Sequence, residues 1–581
     1  MRIKRRDHQA ATTELAGILP VLQRIYAARG IQDVQGLDKE LKSLLPFEQL
    51  LDIDQATRRL SDAIRMQQRI LIVGDFDADG ATSTALAISA LRAMGAIHID
   101  FLVPNRFEFG YGLTPGIVQI ASQWKPDLII TVDNGISSIE GVETARQMGI
   151  DVLVTDHHLP MDILPKAVAI VNPNQVGDLF SSKSIAGVGV IFYVMLALRK
   201  YLRDRQWFSQ SGIKEPNMAQ FLDLVAFGTI ADVVGLDQNN RIMVSQGLMR
   251  IRQGLCRPGI QALIQVAGRE QSLIRESDLG FALAPRLNAA GRLDDMSLGI
   301  ECLLAESLEQ AMLLASELDA LNQARRKIET DMKTQAFEAL ERIILPTNTA
   351  HLELPLALCL THESWHQGVI GILAGRLKER YHRPVITFAQ VSVDEWKGSA
   401  RSIASLNIRD VLAAIDREHP GLMIKFGGHA MAAGLSLRPE AFDLFHQALL
   451  VEVARHIDLS VCEGELLTDG PLSITELNLD LARQLQDAGP WGQQFPEPLF
   501  DNRFEILDQR LVGQNHLKLT VRHESGGDAL DAIAFNVNLA EWPNHRARHV
   551  EMAYKLGINH YRGRSSVQLL VMVLDTESLN Y

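Results

Sequence analysis

The stretch Leu71-Ile72-Val73-Gly74-Asp75-Phe76-Asp77-Ala78-Asp79-Gly80 constrains this chain more than any other. An apolar run ends in three carboxylates on alternate residues, and a glycine follows. Alternate side chains of an extended segment point the same way, so Asp75, Asp77 and Asp79 are expected on one side at a strand's carboxyl end. Three like charges that close repel one another, and bound cations are the usual compensation. Taken alone, the stretch reads equally well as an acidic surface turn.

The rest of the first half decides between these readings. From about residue 55 to 175, apolar strand-like runs alternate with helix-like segments. That alternation predicts βαβ units and a mostly parallel sheet covered on both faces. Ile70–Gly74 ends at Asp75, Asp127–Val132 ends at Asp133, and Asp151–Thr155 ends at Asp156-His157-His158. In open α/β sheets the ligand crevice lies outside the carboxyl ends of the strands. Three separate strands thus deliver acids and imidazoles to one rim. Asp232, interrupting the apolar stretch Phe227–Val234, is a fourth acid, with a helix cap as its ordinary role.

Aspartate oxygens combined with imidazole favour Mn²⁺ or Mg²⁺. Two such ions about 4 Å apart can share a carboxylate, activate water and clamp an in-line attack on phosphorus. Asp133, ending a strand between the other two, is the natural bridging ligand. His157 is the first choice as imidazole ligand, and His158 is placed to touch the scissile phosphate.

Further along, Ala284–Arg292 sets Arg286 and Arg292 among small residues, which suits close backbone approach and bidentate contact with phosphate. Ser307 to about Ile344 is a helical pattern free of proline and glycine, long enough to bridge two domains. A second α/β unit follows. In it, Gly427-Gly428-His429, ahead of an expected small-residue helix, suits a backbone cradle for phosphate, with Arg401-Ser402 upstream. From about residue 463 the pattern changes to some five short strands, which fits an oligonucleotide-binding barrel. Arg503, Arg510, Lys518, Arg522, Arg546, Arg548, Arg562 and Arg564 supply its cations, while Phe504, Phe535, Trp542 and Tyr561 are core or stacking residues.

The expected organisation is a multidomain α/β protein. Residues 1–50 form a helical lead-in, 51–300 a parallel-sheet domain, 301–346 a connecting helix, 347–460 a second α/β domain and 461–581 an OB-like β-barrel. At 581 residues, several cores are required. Cys256, Cys302, Cys359 and Cys462 are scattered, with no CxxC pair, which argues against a disulfide framework or zinc site and fits a reducing cytoplasm. No secretory signal core and no transmembrane run of about 18 apolar residues is present. The net charge of −13 speaks only weakly against nucleic acid, because metal ligands add acids that their ions neutralise.

Asp77-Ala78-Asp79, Val132-Asp133-Asn134, Asp156-His157-His158 and Thr229-Ile230-Ala231-Asp232 resemble the four motifs of the DHH phosphoesterase superfamily, and Gly427-Gly428-His429 resembles its associated second domain, DHHA1. Gly74–Gly80, Pro104-Asn105-Arg106, Gly110–Leu113 and Pro285–Arg292 are similar to its bacterial members that degrade single-stranded DNA 5′→3′. The resemblance covers nearly the whole chain. It implies a two-metal exonuclease of DNA recombination and repair that uses Mn²⁺ or Mg²⁺ and releases 5′-mononucleotides. It further implies metal ligation by Asp75, Asp77, Asp79, Asp133, His157 and Asp232, with His158 near metal and phosphate. Arg106 and Arg286 match arginines that hold the DNA backbone or its 5′-phosphate. Arg401, Ser402, Gly427, Gly428 and His429 match a 5′-end pocket. Single-stranded DNA is the implied partner of a cytoplasmic monomer, with a RecQ-type helicase and a single-strand-binding protein as candidate protein partners. One position departs from the pattern. Many superfamily members carry a histidine four residues before Asp77, where this chain has Val73, and Asp75 is placed to take over part of that role.

Two other readings compete. A DHH hydrolase of small nucleotides would not need the long helix or the barrel. A catalytically inactive DNA-binding scaffold would have lost ligands, whereas this chain keeps the motif acids and both histidines.

Overall fold

The computed structural model describes residues 2–7, 15, 17–105, 111–344, 354–539, 542–561 and 563–575. The chain forms two compact units: Ile3–Asp319 with Leu467–Tyr581, and Met1–Arg2 with Ala320–Leu466.

The first unit is built on a five-stranded sheet of β1 (Ile70–Gly74), β2 (Ile99–Leu102), β3 (Leu128–Val132), β4 (Asp151–Thr155) and β5 (Ala169–Val171). All pairings are parallel and the order is β2-β1-β3-β4-β5. The near-continuous apolar sequences of β1 and β3 follow from this placement: every residue of both strands is buried, because helices cover both faces. The order reverses between β1 and β3, so their carboxyl ends open the crevice where doubly wound sheets bind ligands.

Among the helices that position the site are α1 (Ala78–Ala93), α2 (Pro115–Ala121), α3 (Ile139–Gln147), α4 (Gly187–Asp204), α5 (Leu222–Ala231) and α6 (Ala284–Leu293). Helix α1 is rich in Ala, Ser and Thr and is buried on almost every side, packed against α4 and α5. Small side chains permit that close approach. Val73 belongs to the apolar cluster of Leu71, Leu113, Ile117 and Ile129, so the departure from the superfamily pattern is a core residue here. The stretch carrying Arg286 and Arg292 is helix α6, entered through one π-helical turn, Leu279–Leu283.

Helix α7 (Leu308–Ile344) runs unbroken from the first unit into the second. In the second unit its residues Met332, Ala336 and Leu340 pack on Leu358, Trp365 and Leu373. The sheet there is mixed, with β6 (Leu358–Thr361), β7 (Val385–Gln390), β8 (Trp396–Arg401), β9 (Met423–Gly428) and β10 (Ala432–Leu437) in the order β9-β10-β8-β7-β6. Helix α8 (Ile370–Tyr381) connects β6 to its parallel neighbour β7. The small-residue helix expected after His429 is instead strand β10. Its Ala432 to Leu437 pair with Arg401 to Trp396 of β8 on one side, and Gly434 pairs with Gly427 of β9 on the other. Close strand neighbours on both sides favour small residues as much as a helix would, and the ladder hydrogen bonds decide the outcome.

The carboxyl-terminal strands, β11 (Phe500–Val512), β12 (His516–His523), β13 (Leu530–Ala534), β14 (His549–Tyr561) and β15 (Arg564–Asp575), close into a barrel in the order β11-β12-β13-β15-β14. Phe504 and Trp542 are core residues, whereas Phe535 is 56% exposed. Arg503, Arg510, Arg522, Arg546, Arg548 and Arg564 are all exposed. The expected Arg562, Arg106 and Gly110 fall outside the described residues. Among the described residues, no helix is long and apolar enough to cross a membrane.

Candidate metal centre

Helix and strand ends assemble this centre. Asp77 is the N-cap of α1, and its Oδ1 accepts from the backbone N–H of Asp79 at 2.9 Å and of Gly80 at 3.0 Å. One turn of chain thereby aims Asp75, Asp77 and Asp79 at the crevice. Asp79 is buried and receives the first two N–H groups of α4, from Gly187 at 2.7 Å and Val188 at 3.0 Å. Burial, followed by the charge of Asp77, pushes the Asp79 carboxyl up to about 7, against the pull of these two N–H groups.

Asp133 follows β3 with φ at 60°, a left-handed conformation that aspartate tolerates better than most residues. Its neighbour Asn134 donates from Nδ2 to Val73 O at 3.0 Å and Val132 O at 2.9 Å, tying the ends of β1 and β3 together. Asp232 caps the carboxyl end of α5 and reaches the same crevice, so the cap and the ligand reading coincide in one residue. Burial and then the surrounding carboxylates push Asp133 and Asp232 well above the usual aspartate range.

His157 Nε2 stands 3.1 Å from Asp133 Oδ1 and 3.4 Å from Asp232 Oδ2. Both of these oxygens are buried, and neither accepts a hydrogen bond among the described residues. Buried acceptors without donors are costly. Three sets of side chains bring ligand atoms within 4.8 Å of one another: Asp75–Asp77–Asp133, Asp79–His157–Asp232 and Asp133–His157–His158. Asp133 is the one carboxylate common to two sets. Donor-free carboxylate oxygens converging on an imidazole nitrogen are what divalent cations of the Mn²⁺ or Mg²⁺ type require, so these residues fit the expected ions.

Asp156 has a different task. Its Oδ1 accepts from His157 N at 2.7 Å and His158 N at 3.1 Å and meets His158 Nδ1 at 2.7 Å, while Oδ2 accepts from Ile136 N at 2.9 Å. Burial works to lower the basicity of His158, but the bond to Asp156 and the charges of Asp156, Asp75 and Asp77 outweigh it and push His158 up to about 9. Tyr111 joins this group, with its hydroxyl 3.0 Å from Asp133 O and 3.1 Å from His158 Nδ1.

Two expected site residues stand in altered settings. Arg286 ion-pairs with Asp319 at 2.9 Å, and its helix docks on the acidic turn through Asn288 Oδ1, which accepts from Ala78 N at 2.8 Å. Gly291 of the same helix lies against Phe76 O with no room for a Cβ. In the second unit, Ser402 N donates to Met431 O at 2.9 Å and His429 N to Ala432 O at 2.8 Å, so Arg401 and Ser402 are neighbours of Gly427-Gly428-His429, whose two glycines end strand β9 instead of forming a loop. The Ser402 side chain is buried, however, and its hydroxyl donates to Leu406 O at 2.7 Å, holding its own loop from 402 to 406 rather than facing outward.

Sequence reasoning missed Tyr111, Gly187, Val188 and Asn288 as parts of the site, and missed the orienting role of Asp156. Gly187-Val188-Gly189 opening an apolar helix was the only available signal for the Asp79 contact.

Residues 69–229 match the DHH family, N-terminal domain, residues 353–454 the DHHA1 domain and residues 468–572 the RecJ OB domain. The single-stranded-DNA-specific exonuclease RecJ of Escherichia coli is 53% identical over 571 residues, covering 98% of both chains. Its counterpart in Haemophilus influenzae is 52% identical and covers 95% of both. Among solved structures, RecJ from Thermus thermophilus in complex with Mn²⁺ superposes with a TM-score of 0.80 at 29% identity, covering 99% of this chain and 79% of that one. A Mg²⁺ complex of the same protein gives 0.75 at 27% identity, with 99% and 78% coverage. The chain belongs to the RecJ family of single-stranded-DNA-specific exonucleases.

Proposed function

We propose that this protein degrades single-stranded DNA from its 5′ end by metal-dependent hydrolysis of phosphodiester bonds, releasing 5′-mononucleotides in DNA recombination and repair. The observation that carries the reading is the convergence of Asp133 Oδ1 and Asp232 Oδ2, both buried and without a donor among the described residues, on His157 Nε2 at the sheet's switch point. Asp75, Asp77 and Asp133 would hold one Mn²⁺ or Mg²⁺, and Asp79, His157 and Asp232 the other, with Asp133 shared. Such a pair lowers the pKa of bound water and neutralises charge on the phosphoryl oxygens.

The chain's own groups orient and protonate. The N–H groups of Gly187 and Val188 fix the Asp79 carboxylate in one rotamer. Asp156 holds the His158 ring and keeps it cationic, so it can donate to an oxygen of the scissile phosphate. Tyr111 braces that ring. Arg106 and Arg286 are assigned to the DNA backbone or its terminal phosphate. Arg401 and the Gly427-Gly428-His429 stretch are assigned to the 5′ end, with Ser402 bracing the adjoining loop through Leu406 O. The barrel's exposed arginines would grip the strand electrostatically, with weaker binding at high salt.

The same reading makes the protein a cytoplasmic monomer that acts beside a RecQ-type helicase and a single-strand-binding protein. The test is a nuclease assay with Mn²⁺ or Mg²⁺ on end-labelled single-stranded, duplex and 5′-blocked DNA. Mononucleotide release from the single strand alone is expected. No release from any substrate, or equal release from single-stranded and duplex DNA, refutes it.

A further inference from the structure

Two irregular segments meet beside Asp232. Val233, the next residue, has φ at 62°, a left-handed conformation that β-branched side chains rarely adopt. The π-helical turn Leu279–Leu283 packs against the end of α5, with Gly280 so close to Ile230 that a Cβ would fall 3.3 Å from its Cγ2. Both departures from regular backbone present an apolar side chain to solvent. Val233 is 63% exposed and Phe281 is 86% exposed. Strained backbone and π-turns concentrate at functional sites, and an aromatic side chain left this open within a folded unit calls for an occupant.

The two side chains share a cleft of about 370 Å³. Trp491 and Gln493 also line it, held in place by Leu236 N–H···O Gln493 at 2.8 Å and by Trp491 N–H···Glu276 Oε1 at 3.2 Å. Its charges cancel: Arg275 and Lys555 stand with Glu276 and Glu497, and Lys555 Nζ is 2.5 Å from Glu497 Oε2. A phosphate gains little in such a setting. An uncharged heteroaromatic ring gains an aromatic face to stack on and amide and carboxylate groups for its edge.

We propose that Phe281, with Val233 beside it, is a stacking platform for an unpaired nucleobase of the DNA strand whose phosphodiester lies at the neighbouring metal centre. The inference rests on the exonuclease reading above and deepens it. A base inside a duplex has both faces covered by its neighbours and cannot use the platform, so the contact contributes to single-strand selectivity. It positions substrate and touches no reacting atom.

The test uses the full chain with Mn²⁺ and two single-stranded oligodeoxynucleotides. One is unmodified, and one carries a run of abasic residues directly after the 5′-terminal nucleotide. Phe281→Ala is expected to raise KM on the unmodified strand about 5- to 10-fold with kcat little changed. Phe281→Trp is expected to restore it. The wild-type protein should lose a similar factor on the abasic strand, and Phe281→Ala should lose no more. Equal KM for wild type and Phe281→Ala, or an abasic penalty as large in the variant as in the wild type, overturns the platform. A wild-type protein that degrades neither strand overturns the exonuclease reading itself, whereas normal degradation indifferent to Phe281 overturns the stacking alone.

Discussion

A Cβ placed on Gly187 would lie 2.7 Å from Oδ1 of Asp133 and 2.6 Å from its Cβ. The first residue of α4 therefore lies against the Asp133 carboxylate while its N–H holds Asp79 at 2.7 Å. Gly187→Ala should displace the Asp133 carboxylate and weaken Mn²⁺ binding by about 10- to 100-fold, as groups supporting metal ligands do. Calorimetric titration with Mn²⁺ checks this. Unchanged affinity would show that the carboxylate moves freely.

Asp133→Ala should abolish nuclease activity while leaving the fold and much of the DNA affinity in place. The conservative Asp133→Asn should melt higher than wild type in EDTA, because a buried carboxylate crowded by like charges opposes folding. With Mn²⁺ present the order should reverse. Wild-type turnover by Asp133→Ala would remove the two-metal centre from consideration.

Metal removal should make stability depend on pH with a defined sign. Burial and Asp77 push Asp79 from 3.8 to about 7 in the folded protein. An acid with a raised folded pKa binds its proton more tightly when folded, so stability falls as pH rises through that window. His158, raised from 6.5 to about 9, works the same way: its contribution is full below 6.5 and is lost as pH approaches 9. In EDTA the Tm should therefore fall from about pH 5.5 to 8.5, and added Mn²⁺ should raise it most at the alkaline end. A Tm that is flat or rises with pH in EDTA would contradict this assignment.

The Arg286–Asp319 ion pair separates two roles for the arginine. If Arg286 holds DNA phosphate, Asp319 competes with the strand for it. Arg286→Ala should then raise KM for single-stranded DNA, and Asp319→Ala should lower it. If the pair only braces α6 against α7, both variants should lower Tm and leave KM alone. Measuring KM and Tm for the two variants decides the matter.

The loop from Ser402 to Leu406 in the second unit yields a smaller effect. Ser402→Ala removes the hydroxyl that donates to Leu406 O and leaves that carbonyl without its buried partner. A loss of about 1 kcal/mol of stability is expected, with 5′-end selectivity retained. Loss of selectivity at unchanged Tm would place Ser402 on the DNA instead.

What the sequence determined by itself was everything that follows from local periodicity. Ile70–Gly74, Leu128–Val132 and Asp151–Thr155 are apolar runs that can only be strands buried on both faces, and the acids after them must lie at one rim of a parallel sheet. The barrel strands and the long helix were legible for the same reason. The tertiary structure decided what depends on groups distant in the chain. Ala432–Leu437 is a strand because β8 and β9 flank it, although its composition also suits a helix. Arg286 faces Asp319, and Asp79 meets Gly187 and Val188 across more than a hundred residues. Asp156 and His157 are adjacent acid and imidazole in the sequence, yet the first is consumed by three backbone N–H groups and the second faces Asp133 and Asp232. Spacing along a strand sets which side a residue faces. Only packing sets which donors reach it first, and that competition separates ligand from scaffold.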